Sequence, residues 1–217
     1  MSAKAIDRFE FERGLWSRGA TRVAGVDEAG RGPLAGPIVA AAVMLPSRWG
    51  AGDFDERLRD LNDSKQLTPA QREEFFAILT AHPEIRFAIA SVDAAVIDHI
   101  NILQATHRAM NAALARLQPP PEHVLVDGNP VRSLAFPQTA LVQGDARSYS
   151  IAAASVLSKV TRDHLMQEFH ARYPGYGFAE HKGYGTPQHL AAIAKLGPCA
   201  IHRRSFAPFR PVQTELL

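Results

Sequence analysis

A short apolar run, Val23-Ala24-Gly25-Val26, leads directly into Asp27-Glu28 and then into Gly30-Arg31-Gly32-Pro33-Leu34-Ala35-Gly36-Pro37. No other stretch constrains the fold as much. A strand is expected to end on two carboxylates, and Pro33 and Pro37 stop the following turn from opening a helix. Acidic side chains at a strand end gather a hard cation. Glycine beside them lets a ligand approach the backbone with no Cβ in the way. A cation beside open backbone points to chemistry on a phosphate ester.

Periodicity around that junction gives an α/β order. Residues 5–18 read as a short amphipathic helix through Ile6, Phe9, Leu15 and Trp16, Val23–Val26 as a strand, and Ile38–Leu45 as a fully buried strand. Pro46–Asp60 reads as loop. Thr68-Pro69-Ala70-Gln71 carries a cap, an N1 proline and a capping-box partner for a helix to about Ala81. Ile85–Val92 reads as a strand. Asp93 and Asn101 cap two consecutive helices ending near Leu117, before Pro119-Pro120-Pro121. His123–Val126 and Thr139–Val142 read as strands, Ser148–Phe169 and 187–196 as helices, and the C-terminus as an irregular tail. The expectation is α/β: a central mixed sheet flanked by helices, with a small helical C-terminal extension.

With 217 residues, 46% of them apolar, a substantial core is expected. The net charge of +2 does not demand a nucleic-acid partner but allows a local basic face. Cys199 is the single cysteine, which excludes an intrachain disulfide and a cysteine-based zinc site. Met1–Ala20 has no apolar signal region, and the longest apolar runs are too short to span a bilayer, so no membrane role and a cytoplasmic location are expected.

Four acids stand at or just past strand ends: Asp27, Glu28, Asp127 before Gly128, and Asp145 in Gly144-Asp145-Ala146-Arg147. Side chains at such ends converge on one crevice in an α/β sheet. Clustered carboxylates repel one another unless a cation neutralises them, and oxygen donors select Mg²⁺ or Mn²⁺. Two such ions about 4 Å apart activate water and stabilise a leaving oxygen. Because successive strand residues face opposite ways, the pleat is expected to break between Asp27 and Glu28 if both serve one site. Each of Asp127 and Asp145 alone also reads as a turn or cap residue.

The chain resembles the bacterial ribonuclease HII family, of the type 2 ribonuclease H class. The matching blocks are Val26–Pro37, Leu61–Leu67 (Leu-Asn-Asp-Ser-Lys-Gln-Leu), Ile97–Thr106, Val126–Asn129, Gly144-Asp145 leading to Ala152–Ser155 and Lys159–Asp163, His181–Thr186 and His202–Phe206. They run in order from about residue 22 to 210. The resemblance implies a ribonuclease H-like catalytic domain over 21–217, with 1–20 as an N-terminal extension. It implies hydrolysis of RNA in RNA–DNA hybrids, and cleavage at single ribonucleotides in duplex DNA. By motif match, Asp27, Glu28, Asp127 and Asp145 correspond to metal-binding catalytic acids. Gly30-Arg31-Gly32 corresponds to the loop that reads the ribose 2′-hydroxyl, and Tyr184 to the tyrosine that packs on the next sugar.

The residues agree with that reading on their own chemistry. The 2′-hydroxyl separates RNA from DNA, and a glycine backbone offers donors and acceptors at short range. Tyr184, between Gly183 and Gly185, suits stacking on a nucleotide. Lys65, Arg147 and Lys182 are candidate phosphate contacts, although Arg147, Lys159, Arg162 and Lys182 each read more simply as solvated surface charge. Asp163 reads as a structural partner of its basic neighbours, and His181 and His202 as packing residues more than proton carriers. The nearest rival is a DNA-specific two-metal nuclease or a transposase-like enzyme of the same fold. A dinucleotide-binding oxidoreductase is disfavoured by the Gly-x-Gly-x-x-x-Gly spacing, and a non-catalytic nucleic-acid binder by the acids, which repel phosphate without metal. Thr214–Leu217 lacks the paired aromatics of a sliding-clamp peptide, so no required protein partner is expected, and a monomer is the default.

Overall fold

Small side chains decide how tightly this sheet is covered. The run Ala40-Ala41-Ala42 lies at the centre of β2 (Ile38–Met44), where every residue is buried. β2 pairs antiparallel with β1 (Val23–Ala29) and with β3 (Arg86–Val92). On its other edge β1 pairs in parallel with β4 (His123–Asp127), which pairs in parallel with β5 (Gln138–Leu141). The order β3-β2-β1-β4-β5 is therefore a mixed sheet with β1 at its centre. The computed structural model describes residues 7–209. Ile6, expected in the first helix, and the Thr214–Leu217 tail lie outside them.

Strand alternation sorts the core into two layers. Ala24, Val26, Ala40, Ala42, Val124 and Val126 face α3 (Ala94–Ile100) and α4 (Ile102–Ala115). Ala41 and Val43 face α2 (Pro69–Ala81) and the alanine-rich start of α5 (Tyr149–Arg172). α6 (Phe178–His181), a single turn absent from the periodicity, and α7 (Pro187–Leu196) form the C-terminal extension around Phe178, Tyr176 and Met166.

The helix starts follow their capping chemistry. Thr68 and Gln71 close the expected capping box, and Asp93, Asn101 and Ser148 each accept from a first-turn amide. The expected loop 46–60 is more ordered than its composition suggests. It winds two short 3₁₀ turns, Ser47–Ala51 and Glu56–Leu58, because Trp49 and Leu58 are buried in the α2–α5 layer. The expected break between Asp27 and Glu28 does not occur. The ladder continues through Asp27↔Ala41, Glu28↔Ala40 and Ala29↔Val39, and the chain first leaves strand geometry at Gly30 (φ 103°).

α1 (Glu10–Trp16) braces the start of α5. Glu12 is fully buried, and its Oε1 accepts from Ser148 Oγ (2.6 Å), Ser150 Oγ (2.7 Å) and Ser150 N (3.1 Å). A carboxylate there meets the positive end of the α5 dipole. No helix among the described residues is long and apolar enough to cross a membrane.

α5 lies flush on β1 at Gly25, where an added Cβ would sit 2.2 Å from Ser150 C and 2.4 Å from Ile151 N. Both are backbone atoms and cannot rotate away. Gly25→Ala is expected to lower the free energy of unfolding by about 2–3 kcal/mol, read as a fall in the denaturant midpoint. An unchanged midpoint would show that α5 can rise off the sheet.

Candidate active site

Strand parity brings the first two acids together. Val26 and Val126 are register partners in the parallel pair β1–β4. Asp27 and Asp127 are the next residues of each strand, so both point to the α5 face. Asp145 arrives from a 3₁₀ turn, Gly144–Ala146, just ahead of α5. That turn is set by Gln143 in a left-handed conformation (φ 54°) and by the Gly144 amide, which donates to Asp127 Oδ1 (2.7 Å). Each of the three aspartates offers a carboxylate oxygen within 4.8 Å of the other two.

Glu28 stands apart from this trio. The unbroken pleat turns it to the α4 face, where it and Asp127 border a second hollow of about 490 Å³ with Gln104 and His107. Arg31 Nη1 lies 3.4 Å from Glu28 Oε1. Glu28 thus meets the cluster from the side, around the end of β1.

The electrostatics show a site that is short of positive charge. Burial, then Glu28 and Asp127, hold the Asp27 carboxyl well above the usual carboxylate range, and a hydrogen bond from Ser155 offsets this only in part. Burial, then Asp127 and Asp63, push Asp145 up to about 6, against the pull of Lys65. Burial also raises Glu28, opposed by Arg31. The donors are all hard oxygens, matched to Mg²⁺ or Mn²⁺.

Beside Asp27 and Glu28 lies a cleft of about 270 Å³. One wall is Gly30-Arg31-Gly32. Ser64, Lys65, Ser155, Lys159 and Tyr184 line the cleft as well. Tyr184 is half exposed, and a side chain added at Gly32 would approach its ring to 3.6 Å. Lys65 Nζ lies 4.0 Å from Asp145 Oδ2. Arg147 and Lys182 do not line this cleft. Arg147 lies over the Phe11 ring and donates to Val142 O, and Lys182 Nζ donates to Ala179 O.

Four residues were not singled out for the roles they have here. Ser155 lines the cleft beside Asp27, and its Oγ lies 2.9 Å from Ser64 Oγ. Asp63 sits against Asp145 and accepts from the Lys65 amide (2.9 Å). Arg162 is not a solvated charge. It is buried and donates to Pro37 O (3.0 Å), Ala35 O (3.1 Å) and Lys182 O (3.0 Å). Arg203 is fully buried and donates to the carbonyls of Gly30, Arg31, Pro33 and Gly36. Helical spacing could have flagged two of them, since Ser155, Lys159 and Arg162 fall at i, i+4 and i+7 on α5. Nothing local marks Arg203. His181, His189 and His202 form a buried aromatic cluster under the Tyr184 loop, with His189 Nε2 3.1 Å from His202 Nε2. Asp163 pairs with Lys159 (2.7 Å).

Residues 24–209 match the family model described as Ribonuclease HII. Ribonuclease HII of Geobacillus thermodenitrificans is 54% identical over 200 residues, covering 92% of this chain and 74% of that protein. The crystal structure of ribonuclease H2 from Pyrococcus horikoshii OT3 superposes with a TM-score of 0.71 at 30% identity, covering 87% of this chain and 95% of that one. A structure of the PCNA:RNase HII complex from Archaeoglobus fulgidus gives 0.66 at 25% identity, covering 84% and 93%. The match extends from β1 through the segment that carries Arg203, so acids, glycine turn and tyrosine all fall inside it, and the chain belongs to the ribonuclease HII family.

Proposed function

We propose that this protein hydrolyses the RNA strand of RNA–DNA hybrids and cuts duplex DNA on the 5′ side of a single embedded ribonucleotide. One observation carries the reading. Three carboxylates converge on the sheet face that opens into the cleft walled by Gly30-Arg31-Gly32 and Tyr184. A cluster that repels phosphate by itself becomes a phosphodiester site once cations neutralise it.

Asp27 and Asp127, with Asp145 nearby, would hold one divalent ion, Mg²⁺ or Mn²⁺, and Asp27 with Glu28 a second. When bound, such ions lower the pKa of a water and stabilise charge on a leaving oxygen. The residues do the rest. Gly144 N–H fixes the Asp127 carboxylate, and Ser155 stands beside Asp27. Gly30-Arg31-Gly32 reads the 2′-hydroxyl, and Tyr184 packs against the following sugar, so the phosphate ahead of a ribonucleotide sits over the acids. Water oxygen bonds to phosphorus as the bond to the 3′-oxygen breaks, leaving 3′-hydroxyl and 5′-phosphate ends. Lys65 is placed to contact backbone phosphate, whereas Arg147 and Lys182 would act only on duplex beyond the cleft. Residues 21–217 form the catalytic unit in this reading, with the N-terminal segment bracing α5 through Glu12. The protein acts in the cytoplasm as a monomer and needs no protein partner.

A duplex with one ribonucleotide should be cut on its 5′ side in Mg²⁺ or Mn²⁺ and not in chelator, while an all-DNA control stays intact. Cleavage of both duplexes would favour the DNA-nuclease rival. Asp27→Asn is expected to reduce turnover below about a thousandth of wild type. The same change should stabilise the metal-free fold. A carboxyl whose folded pKa is raised costs nothing below its unfolded pKa, and costs stability increasingly as pH rises through the folded value. In chelator at pH 8 the variant should therefore melt above wild type, with the gap closing toward pH 4. A wild type that melts higher at pH 8 would contradict the repulsion. Tyr184→Ala should cut single-ribonucleotide cleavage by about tenfold to a hundredfold while leaving Mn²⁺ affinity unchanged. Equal loss of both would make Tyr184 structural.

A further inference from the structure

Arg203 is an expensive residue to keep. Its guanidinium is fully buried, and all its hydrogen bonds go to backbone carbonyls: Gly30 O (2.6 Å), Arg31 O (3.0 Å), Pro33 O (2.9 Å) and Gly36 O (2.9 Å). Burial and the neighbouring Arg162 push its pKa down to about 9, so the cation is held without an adequate counter-charge. A buried charge recovers its desolvation cost only through the groups it hydrogen-bonds, here four backbone carbonyls. Its value therefore lies in the geometry it imposes.

That geometry has a definite consequence for the glycine turn. A trans peptide points its C=O and the following N–H in opposite directions. With the Gly30 and Arg31 carbonyls drawn inward, the amides of Arg31 and Gly32 point outward, on the wall they share with Asp27. Neither amide has a hydrogen-bond partner among the described residues, whereas the flanking amides of Leu34 and Gly36 are engaged by Gly183 O and Ile201 O. Around this core the C-terminal segment is sewn to the turn by Arg203 N–H to Leu34 O (2.8 Å) and the Ala35↔His202 bridge. Phe206 caps the guanidinium from 5.2 Å.

We infer that Arg203 is a positioning residue for ribonucleotide recognition: from the C-terminal segment it holds the Gly30 and Arg31 carbonyls inward and thereby presents the Arg31 and Gly32 amides to a ribose 2′-hydroxyl. The inference rests on the proposed reading of that turn as the ribose reader. Lysine cannot replace the arginine, because a single ammonium lacks the planar fork that reaches four carbonyls at once.

The test compares Asp27→Asn with Asp27→Asn/Arg203→Lys, the first change holding cleavage back. Affinity is measured by fluorescence anisotropy in Mn²⁺ for a duplex with one ribonucleotide and for the same duplex in all-DNA form. The Arg203→Lys protein should lose about tenfold or more of the preference for the ribonucleotide duplex, with all-DNA affinity, set by phosphate contacts, unchanged. Equal weakening on both duplexes, or an undiminished preference, overturns the inference. If the Asp27→Asn protein itself shows no preference, the reading of the turn fails instead. Should Arg203→Lys not fold, the Asp27→Asn protein in Mg²⁺ decides. Its Arg203 side-chain N–H resonances should shift when the ribonucleotide duplex binds and not with the all-DNA duplex, and identical spectra overturn the inference.

Discussion

Three carboxylates held within 4.8 Å of one another are the constraint around which this molecule is arranged. Like charges at that distance, with Asp27 and Asp145 buried, are unfavourable in the protein alone, and the upward shifts of both residues record the conflict. A fold that only had to be stable would discard them. Here the rigid parts enforce the conflict. Two central strands run parallel with their acidic ends level, and a long helix lies flush on one of them at Gly25. A buried glutamate, Glu12, pins that helix where it begins, directly after Asp145. The repulsion within the cluster is thus borne by the sheet–helix framework, and a cation bound there would relieve it.

Much of this was legible in the sequence because it depends on local rules. Caps at Thr68, Asp93, Asn101 and Ser148 fixed helix starts, and uninterrupted apolar runs fixed the buried strands. The convergence of Asp27, Asp127 and Asp145 follows from acids at strand ends of one sheet. The backbone at Glu28 departs from the expectation for an instructive reason. A broken pleat was invoked to bring it beside Asp27, but pairing with β2 continues unbroken, and Glu28 reaches the cleft it shares with Asp27 from the side, around the end of β1.

The buried arginines were illegible for a different reason. Helical spacing sets Arg162 on the Ser155–Lys159 face of α5, but nothing in the residues around Arg162 or Arg203 shows that the guanidinium is buried rather than solvated. Their partners lie 20 to 173 positions away, and none of those partners is a side chain. Only the closed C-terminal segment brings Arg203 under the glycine turn. The glycine turn is therefore shaped from behind by the segment that carries Arg203, and in the proposed reading recognition and catalysis would draw on separate supports: the C-terminal extension for one, the β1–β4–α5 framework for the other.

The most direct test of the central claim is the melting temperature of the protein as Mn²⁺ is added to chelator-treated samples, for wild type and for Asp127→Asn. A cation that binds only the folded cluster raises the midpoint with concentration. The account predicts a clear rise for wild type that is largely lost in the variant. A wild-type midpoint that does not respond to millimolar Mn²⁺ would contradict it.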